Sequence, residues 1–382
     1  MLASFLLDTC LEAGIDFFTG VPDSYLSGLC NELFTRYGTD QKEHIVAHNE
    51  GGAVALCAGH YLATGRPALC YMQNSGLGNA INPLASLTDS GVYGIPLMLV
   101  IGWRGEPGQK DEPQHITQGA ITLRQLELMD IPYAVLSPET TEAAFLADFQ
   151  RLRACLDAGR CVAVVARKGS LKSLSSPSYA NRFSLSREKA AEVLLSFTGE
   201  KDVIVSTTGK LSREIFELRE QSGHSHQQDF LTVGSMGHAS MIALRIAEEC
   251  PERTVWCLDG DGAMMMHLGS LPLIGRRRPS NFNHVVINNG AHETVGGMPV
   301  CSGKLNIRAL ACASGYTEVL QADSEHTLAE ALNEWKKTPG TGPRMLEIRC
   351  ACGARSDLGR PTTTPIENRD ALMQFITKSS QF

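Results

Sequence analysis

The residues best suited to chemistry are few, and their spacing is unusual. Asp261 stands between two glycines in "LDGDGAMMMHLGSL", residues 258–271, where an apolar run (Val255, Trp256, Cys257, Leu258) gives way to a helical pattern. Twenty-eight residues past Asp261, a second apolar run has ended in Asn288-Asn289-Gly290. An aspartate and an asparagine at the ends of two strands offer carboxylate and amide oxygens to one hard cation. That donor set suits Mg²⁺, whose remaining positions go to phosphate oxygens and water. Gly260 and Gly262 leave room for an anion against the backbone. A helix starting near Ala263 adds N–H groups and a partial positive charge facing the same group. Asp-Gly alone is a common turn dipeptide; the asparagine pair at this interval turns the reading toward a metal and a phosphate.

A second set lies in "GWRGEPGQKDEPQHITQG", residues 102–119, where Arg104, Lys110 and His115 are interleaved with Glu106, Asp111 and Glu112. Mixed charges on a loop are by default a solvated surface. A stretch this long and rich in Gly and Pro at the end of a strand instead suggests closure over a substrate. Its basic members suit an anionic substrate. Glu50 opens the Ala/Gly-rich helical stretch "EGGAVALCAGHYLATG", and on its own is an acid favoured by the helix dipole.

These residues sit on an alternation of strand-like and helix-like segments. The first half reads as strands at 15–21, 44–48, 67–73, 96–103, 133–136 and 161–167, with helical patterns between them. In the second half "DVIVSTTG", "DFLTVGS", "RTVWCLDG", "FNHVVINN" and "PRMLEIRC" are the strands. Such alternation predicts parallel sheets covered by helices on both faces, in two doubly wound α/β domains. Between the halves runs "KGSLKSLSSPSYANRFSLS", residues 168–186, Ser-rich and without period, which reads as a linker. The expected division is 1–168, a linker 169–186, and 187–382. In such sheets ligands bind beyond the carboxyl ends of the strands, where the Gly- and polar-rich segments fall.

At 382 residues with 43% hydrophobic and 20% charged content, the chain suits a globular protein of two domains. A net charge of −7 argues against a nucleic-acid partner. The twelve cysteines form no Cys-x-x-Cys pair and lie mostly in apolar segments, as reduced core residues of a cytoplasmic protein do. The N-terminus carries Asp8 and Glu12 and lacks a basic leader, and no apolar run reaches the length of a membrane span.

Gly-Asp-Gly followed at this interval by Asn-Asn resembles the signature of the thiamine-diphosphate enzymes, which include decarboxylases, acetolactate synthases and transketolases. The resemblance implies that Asp261, Asn289 and the carbonyl of Ala291 hold Mg²⁺. It implies that the diphosphate lies against Gly260, Asp261, Gly262 and Ala263. "IVAHNEGGAVALCAGHYLATGRP" is similar to the family's other half, which makes Glu50 the glutamate that bonds the aminopyrimidine ring. "TVGSMGHASMIALRIAEE" resembles the segment that grips the pyrimidine, so the Gly234 carbonyl would accept from the 4′-amino group and Met236 would wedge the cofactor. Arg245 departs from this pattern, standing where a small residue is expected.

The chain has no room for the central third domain of the long decarboxylases. That short plan resembles the two-domain decarboxylases of 2-oxo acids that carry a phosphonate or sulfonate. The segments "FFTGVPDSYLSGL", "YMQNSGLGNAINPLASL", "NNGAHETVGGMP" and "GARSDLGRPTTTP", with the 102–119 loop, favour the phosphonate type. The implied reaction is non-oxidative decarboxylation of 3-phosphonopyruvate to phosphonoacetaldehyde and CO₂. Decarboxylation of sulfopyruvate and acetolactate synthase-like carboligation are the alternatives. Asp23, Ser24, Arg104, Lys110 and His115 would face substrate, with His115, His292 and Glu293 as candidate proton shuttles. Arg355 and Arg360 are weaker anion candidates. The resemblance also implies a homodimer or homotetramer with its sites at subunit interfaces.

Overall fold

Continuous apolar runs bounded by Gly, Pro and Asn become the buried strands of two parallel sheets, and the amphipathic stretches between them become the covering helices. The computed structural model describes residues 1–175, 177–293, 297–300 and 305–378. The chain divides into two units, the first of residues 1–178 with 297–300, the second of 179–293 with 305–378.

The first unit runs α1 (Ala3–Glu12), β1 (Phe18–Gly20), α2 (Ser27–Tyr37), β2 (His44–Val46), α3 (Glu50–Thr64), β3 (Ala68–Gln73), α4 (Leu77–Pro83), β4 (Leu97–Gly102), α5 (Pro113–Leu128), β5 (Tyr133–Leu136), α6 (Glu142–Asp157) and β6 (Val162–Ala166). Its six strands pair in parallel in the order β2-β1-β3-β4-β6-β5. Because side chains alternate along a strand, Leu69, Tyr71, Met98 and Val100 face one apolar layer while Cys70, Met72, Leu99 and Ile101 face the other. Strands buried on both faces are the reason these runs are apolar throughout.

The second unit runs α7 (Arg187–Phe197), β7 (Val203–Ser206), α8 (Lys210–Ser222), β8 (Asp229–Leu231), α9 (Ala239–Glu249), β9 (Val255–Gly260), α10 (Asp261–Met266), α11 (Ser270–Arg277), β10 (Phe282–Asn288), α12 (Ile307–Ala313), β11 (Glu318–Ala322), α13 (Glu325–Lys337), β12 (Arg344–Arg349) and α14 (Pro365–Lys378). Its six-stranded sheet is again all parallel. Counting strands one to six along each unit, both sheets have the order 2-1-3-4-6-5. In each, the strand order reverses beside the first strand, so the crevice for a ligand opens between the carboxyl ends of the first and third strands.

The structure differs from the sequence expectations at several boundaries. β1 covers only Phe18–Gly20 of the expected 15–21, and β8 stops at Leu231. α10 begins at Asp261, two residues earlier than expected, so the aspartate is itself the first helical residue. The edge strand β11 was not expected, because Glu318 and Gln321 break its apolar run. The Ser-rich segment is more ordered than a linker need be. Lys172 pairs backbone with Met1 and Ala3, Ser170 and Leu171 are buried, and Leu185 belongs to the second core. No described helix is long and apolar enough to cross a membrane.

Candidate active site

In the second unit the crevice lies between β7 and β9. Asp261 follows β9 directly and is buried, and its Oδ2 accepts from the Gly290 N–H at 3.1 Å. Gly290 turns with φ +70°, in the left-handed region that favours glycine. The buried Asn289 accepts from the Ala291 N–H at 3.0 Å, and its amide donates to Glu293 Oε2 at 3.0 Å. The structure thus brings the two widely separated oxygen donors, and the Ala291 backbone, to one turn.

Nothing among the described residues explains why position 260 is glycine. Its φ of −103° is ordinary extended backbone. A Cβ there would meet only the Thr207 Cγ2, at 3.9 Å. The neighbouring Thr207 Oγ1 is buried and has no hydrogen-bond partner among the described residues. Open space, an unpaired hydroxyl and a carboxylate, amide and carbonyl set fit a hard divalent cation carrying phosphate oxygens. Further along, Gly234, Ser235 and Gly237 all have positive φ, making an irregular turn before α9, and the Gly234 N–H bonds Thr208 Oγ1 at 3.0 Å. Met236 is half-buried on that turn.

Several residues around this turn escaped sequence reasoning. Asn181, from the Ser-rich segment, donates to the carbonyls of Asn289 and Cys350, both at 2.9 Å. Asn288 donates to the buried Glu347 at 2.8 Å, and Lys210 lies 3.7 Å from Glu293. No local pattern marks them, since each partner comes from a different part of the chain. Arg355 is held by Glu188, Glu217 and Asp357, which makes it a clasp between elements and not an open anion site.

In the first unit the crevice between β1 and β3 holds Asp23. It is fully buried, accepts from the Tyr25 N–H at 2.9 Å and from Gln73 at 2.6 Å, and burial raises its carboxyl above the usual range. A Cβ on Gly102 would fall 2.1 Å from Asp23 Oδ2, so glycine at the end of β4 is what admits the carboxylate. Arg104 packs its guanidinium over the Tyr25 ring at 4.7 Å, and donates to Ser24 at 3.1 Å and, through two nitrogens, to Asp111. Asn74 brackets the Arg104 backbone from both sides, accepting from its N–H and donating to its carbonyl. The loop expected to carry open positive charge therefore holds its arginine already paired. Lys110 is exposed on the same loop.

Glu50 is the first residue of α3, with Asn49 capping the helix by accepting from Gly52 N–H at 2.7 Å. The Glu50 carboxylate is buried and accepts from Asn79 at 2.9 Å; desolvation raises its pKa. A Cβ on Gly76 would lie 2.5 Å from the Glu50 side chain. His115 is buried, and its affinity for a proton is lowered first by burial and then by Arg104. His292 is half-buried and desolvation lowers it to about 4.

The comparisons agree with two cofactor-binding halves. Residues 1–128 match the family described as thiamine pyrophosphate enzyme, N-terminal TPP binding domain, and residues 207–348 match its C-terminal TPP binding domain. The chain is 35% identical to a phosphonopyruvate decarboxylase of Streptomyces viridochromogenes, over 95% of this chain and 92% of that one. It is 33% identical to a phosphonopyruvate decarboxylase of Streptomyces hygroscopicus, over 98% and 94%. A sulfopyruvate decarboxylase of Methanosarcina acetivorans is 26% identical over 87% of each chain.

Proposed function

The chain belongs to the thiamine pyrophosphate enzymes, and from that membership we propose that it is a carboxy-lyase converting 3-phosphonopyruvate to phosphonoacetaldehyde and CO₂. Identity of 35% along 95% of the chain to a phosphonopyruvate decarboxylase, against 26% to the sulfopyruvate enzyme, carries the choice of substrate.

Thiamine diphosphate, when bound, supplies the electron sink that a 2-oxo acid needs to release CO₂. The chain's part is to hold, orient and move protons. In this reading Asp261, Asn289 and the Ala291 carbonyl hold Mg²⁺, with the diphosphate against Gly260, Gly262 and Ala263. Gly234 and Met236 address the pyrimidine end. Glu50, whose buried carboxyl binds a proton more tightly than a solvated one, would hold and pass a proton at a ring nitrogen of the aminopyrimidine.

Arg104 and Ser24 receive the phosphonate, with Lys110 closing from the same loop and Asp23 fixing the floor. Because Arg104 is already paired with Asp111, a substrate dianion would add to the guanidinium donors that remain. Burial lowers the proton affinity of both His115 and His292, which favours each as a proton acceptor first. The free cysteines, most of them buried, suit a reducing cytoplasm. Exposed Leu56, Leu62 and Ile81 on α3 and α4 suit a homodimer or homotetramer.

The test offers phosphonopyruvate or sulfopyruvate to the purified chain with thiamine diphosphate and Mg²⁺, following CO₂ and aldehyde. Turnover of phosphonopyruvate, reduced about 10²–10⁴-fold in Glu50→Gln, is expected. Turnover of sulfopyruvate alone would overturn the substrate while leaving the cofactor reading intact.

A further inference from the structure

β9 and β10 carry a second set of metal-binding side chains, of a different chemical kind from the oxygen donors at the crevice. Cys257 and Asp259 are two residues apart and so share one face of β9. The strand register sets His284 of β10 directly beside Cys257, on the same face. All three are fully buried, and their donor atoms lie within 4.8 Å of one another. Asp259 Oδ2 and His284 Nε2 face each other at 3.6 Å, and neither has a hydrogen-bond partner among the described residues. A buried carboxylate oxygen and a buried imidazole nitrogen left unmatched are costly, so something should join them.

The remaining polar atoms are arranged to aim these donors. His284 Nδ1 bonds the Tyr316 hydroxyl at 2.9 Å, which leaves Nε2 to face Asp259. Asp259 Oδ1 accepts from the Gly260 N–H at 2.9 Å. An outer partner on the second ring nitrogen is the usual companion of a ligating histidine.

We propose that Cys257, Asp259 and His284 bind one divalent transition-metal ion of the Zn²⁺ class, separate from the Mg²⁺ set at Asp261, Asn289 and Ala291. Sulfur, nitrogen and carboxylate donors select Zn²⁺ over the hard cations. A thiolate and a carboxylate neutralise its charge, and the three side chains supply one sulfur, one nitrogen and one oxygen donor. Uptake sends the Cys257 thiol proton to solvent, so retention weakens in acid. Such an ion would tie together β9 and β10, from whose carboxyl ends Asp261 and Asn289 extend.

The site is enclosed, so the ion must enter during folding. The full chain is therefore expressed in medium supplemented with Zn²⁺ or, separately, Co²⁺, dialysed against a chelator, and its metal measured by mass spectrometry. About one equivalent per chain is expected, with visible thiolate–cobalt absorption in the Co²⁺ form. Cys257→Ser and His284→Gln should lower retained metal by about tenfold or more, and Tyr316→Phe by less. Asp261→Asn should retain it, which separates this ion from the Mg²⁺ of the crevice. Parent protein without stoichiometric metal, or a Cys257→Ser variant that keeps it, would overturn the proposal. Should Cys257→Ser fail to fold, the parent's metal content and Tyr316→Phe decide the matter.

Discussion

Glu50 opens α3 with its carboxylate removed from water and one side-chain hydrogen bond in return, from Asn79. Desolvation is the largest influence on it and raises its pKa. A carboxyl whose folded pKa lies above its unfolded one holds its proton more tightly in the native state. Its stability penalty is therefore absent below the unfolded value and grows as pH rises through the folded value. Glu50→Gln removes the charge and keeps a group that can bond Asn79. The variant should lose turnover yet unfold at the same temperature as the parent or higher at pH 8, with the difference vanishing near pH 4. Thermal scans at both pH values measure this; a variant less stable at pH 8 than at pH 4, relative to the parent, would sink the account. At this scale glycine spacing, helix-start chemistry and the family resemblance singled out Asp261, Asn289 and Glu50, and the structure buries all three at strand ends or a helix start. The sequence was silent on Asp111 as the carboxylate that pairs Arg104 and on Gln73 as the donor to Asp23. The Gln73–Asp23 pairing depends on which strand ends the sheet brings together, and the Arg104–Asp111 pairing on how the 102–119 loop folds back on itself; no local pattern records either.

Elements are tied to one another by buried polar pairs that hydrophobic periodicity cannot reveal. Arg219 of α8 and Asp229 of β8 form two hydrogen bonds, at 3.0 and 2.9 Å, with both residues buried. Removing one partner strands the other charge. Asp229→Ala should cost about 3–5 kcal/mol in urea unfolding, while the double replacement Arg219→Met, Asp229→Leu should cost less than that single change. Equal costs for single and double variants would show that the pair is screened by water. The Ser-rich segment has a comparable role at the crevice, where its Asn181 holds the carbonyl of Asn289. Cys352 also donates to that carbonyl, at 3.2 Å, so Asn181→Ala loses only part of its support. The loss of about 1–1.5 kcal/mol should raise the Mg²⁺ concentration needed for thiamine diphosphate binding by roughly tenfold, read by fluorescence titration. An unchanged Mg²⁺ requirement with a lower melting temperature would make Asn181 a fold residue only. Sequence reading treated this segment as a spacer because Ser, Pro and Asn without period resemble coil, and coil can still be held by its side chains.

Taken whole, the chain uses one strand order twice, 2-1-3-4-6-5, and places its candidate residues at the same reversal point of each sheet, Asp23 in one and Asp261 in the other. The α/β class was legible because strand and helix periods alternate along both halves. The shared order was not, since strand neighbours are chosen by packing and the two sequences show no visible repeat. The surface of the first unit bears on the proposed assembly. Leu62 is 74% exposed near the end of α3, the helix that Glu50 begins, and Ile81 on α4 is 41% exposed. Apolar residues on adjoining helices are costly to leave in water, and the assembly proposed above covers them with a second copy of the chain. Analytical ultracentrifugation of the parent should show a dimer or tetramer at micromolar concentration. Leu62→Glu with Ile81→Glu should shift it toward monomer and weaken thiamine diphosphate binding together, although neither position touches Glu50 or Asp261 in the chemistry proposed. A parent that sediments as a monomer while binding cofactor fully would refute the assembly. A dissociated variant that still binds as tightly as the parent would show instead that one chain builds the whole site.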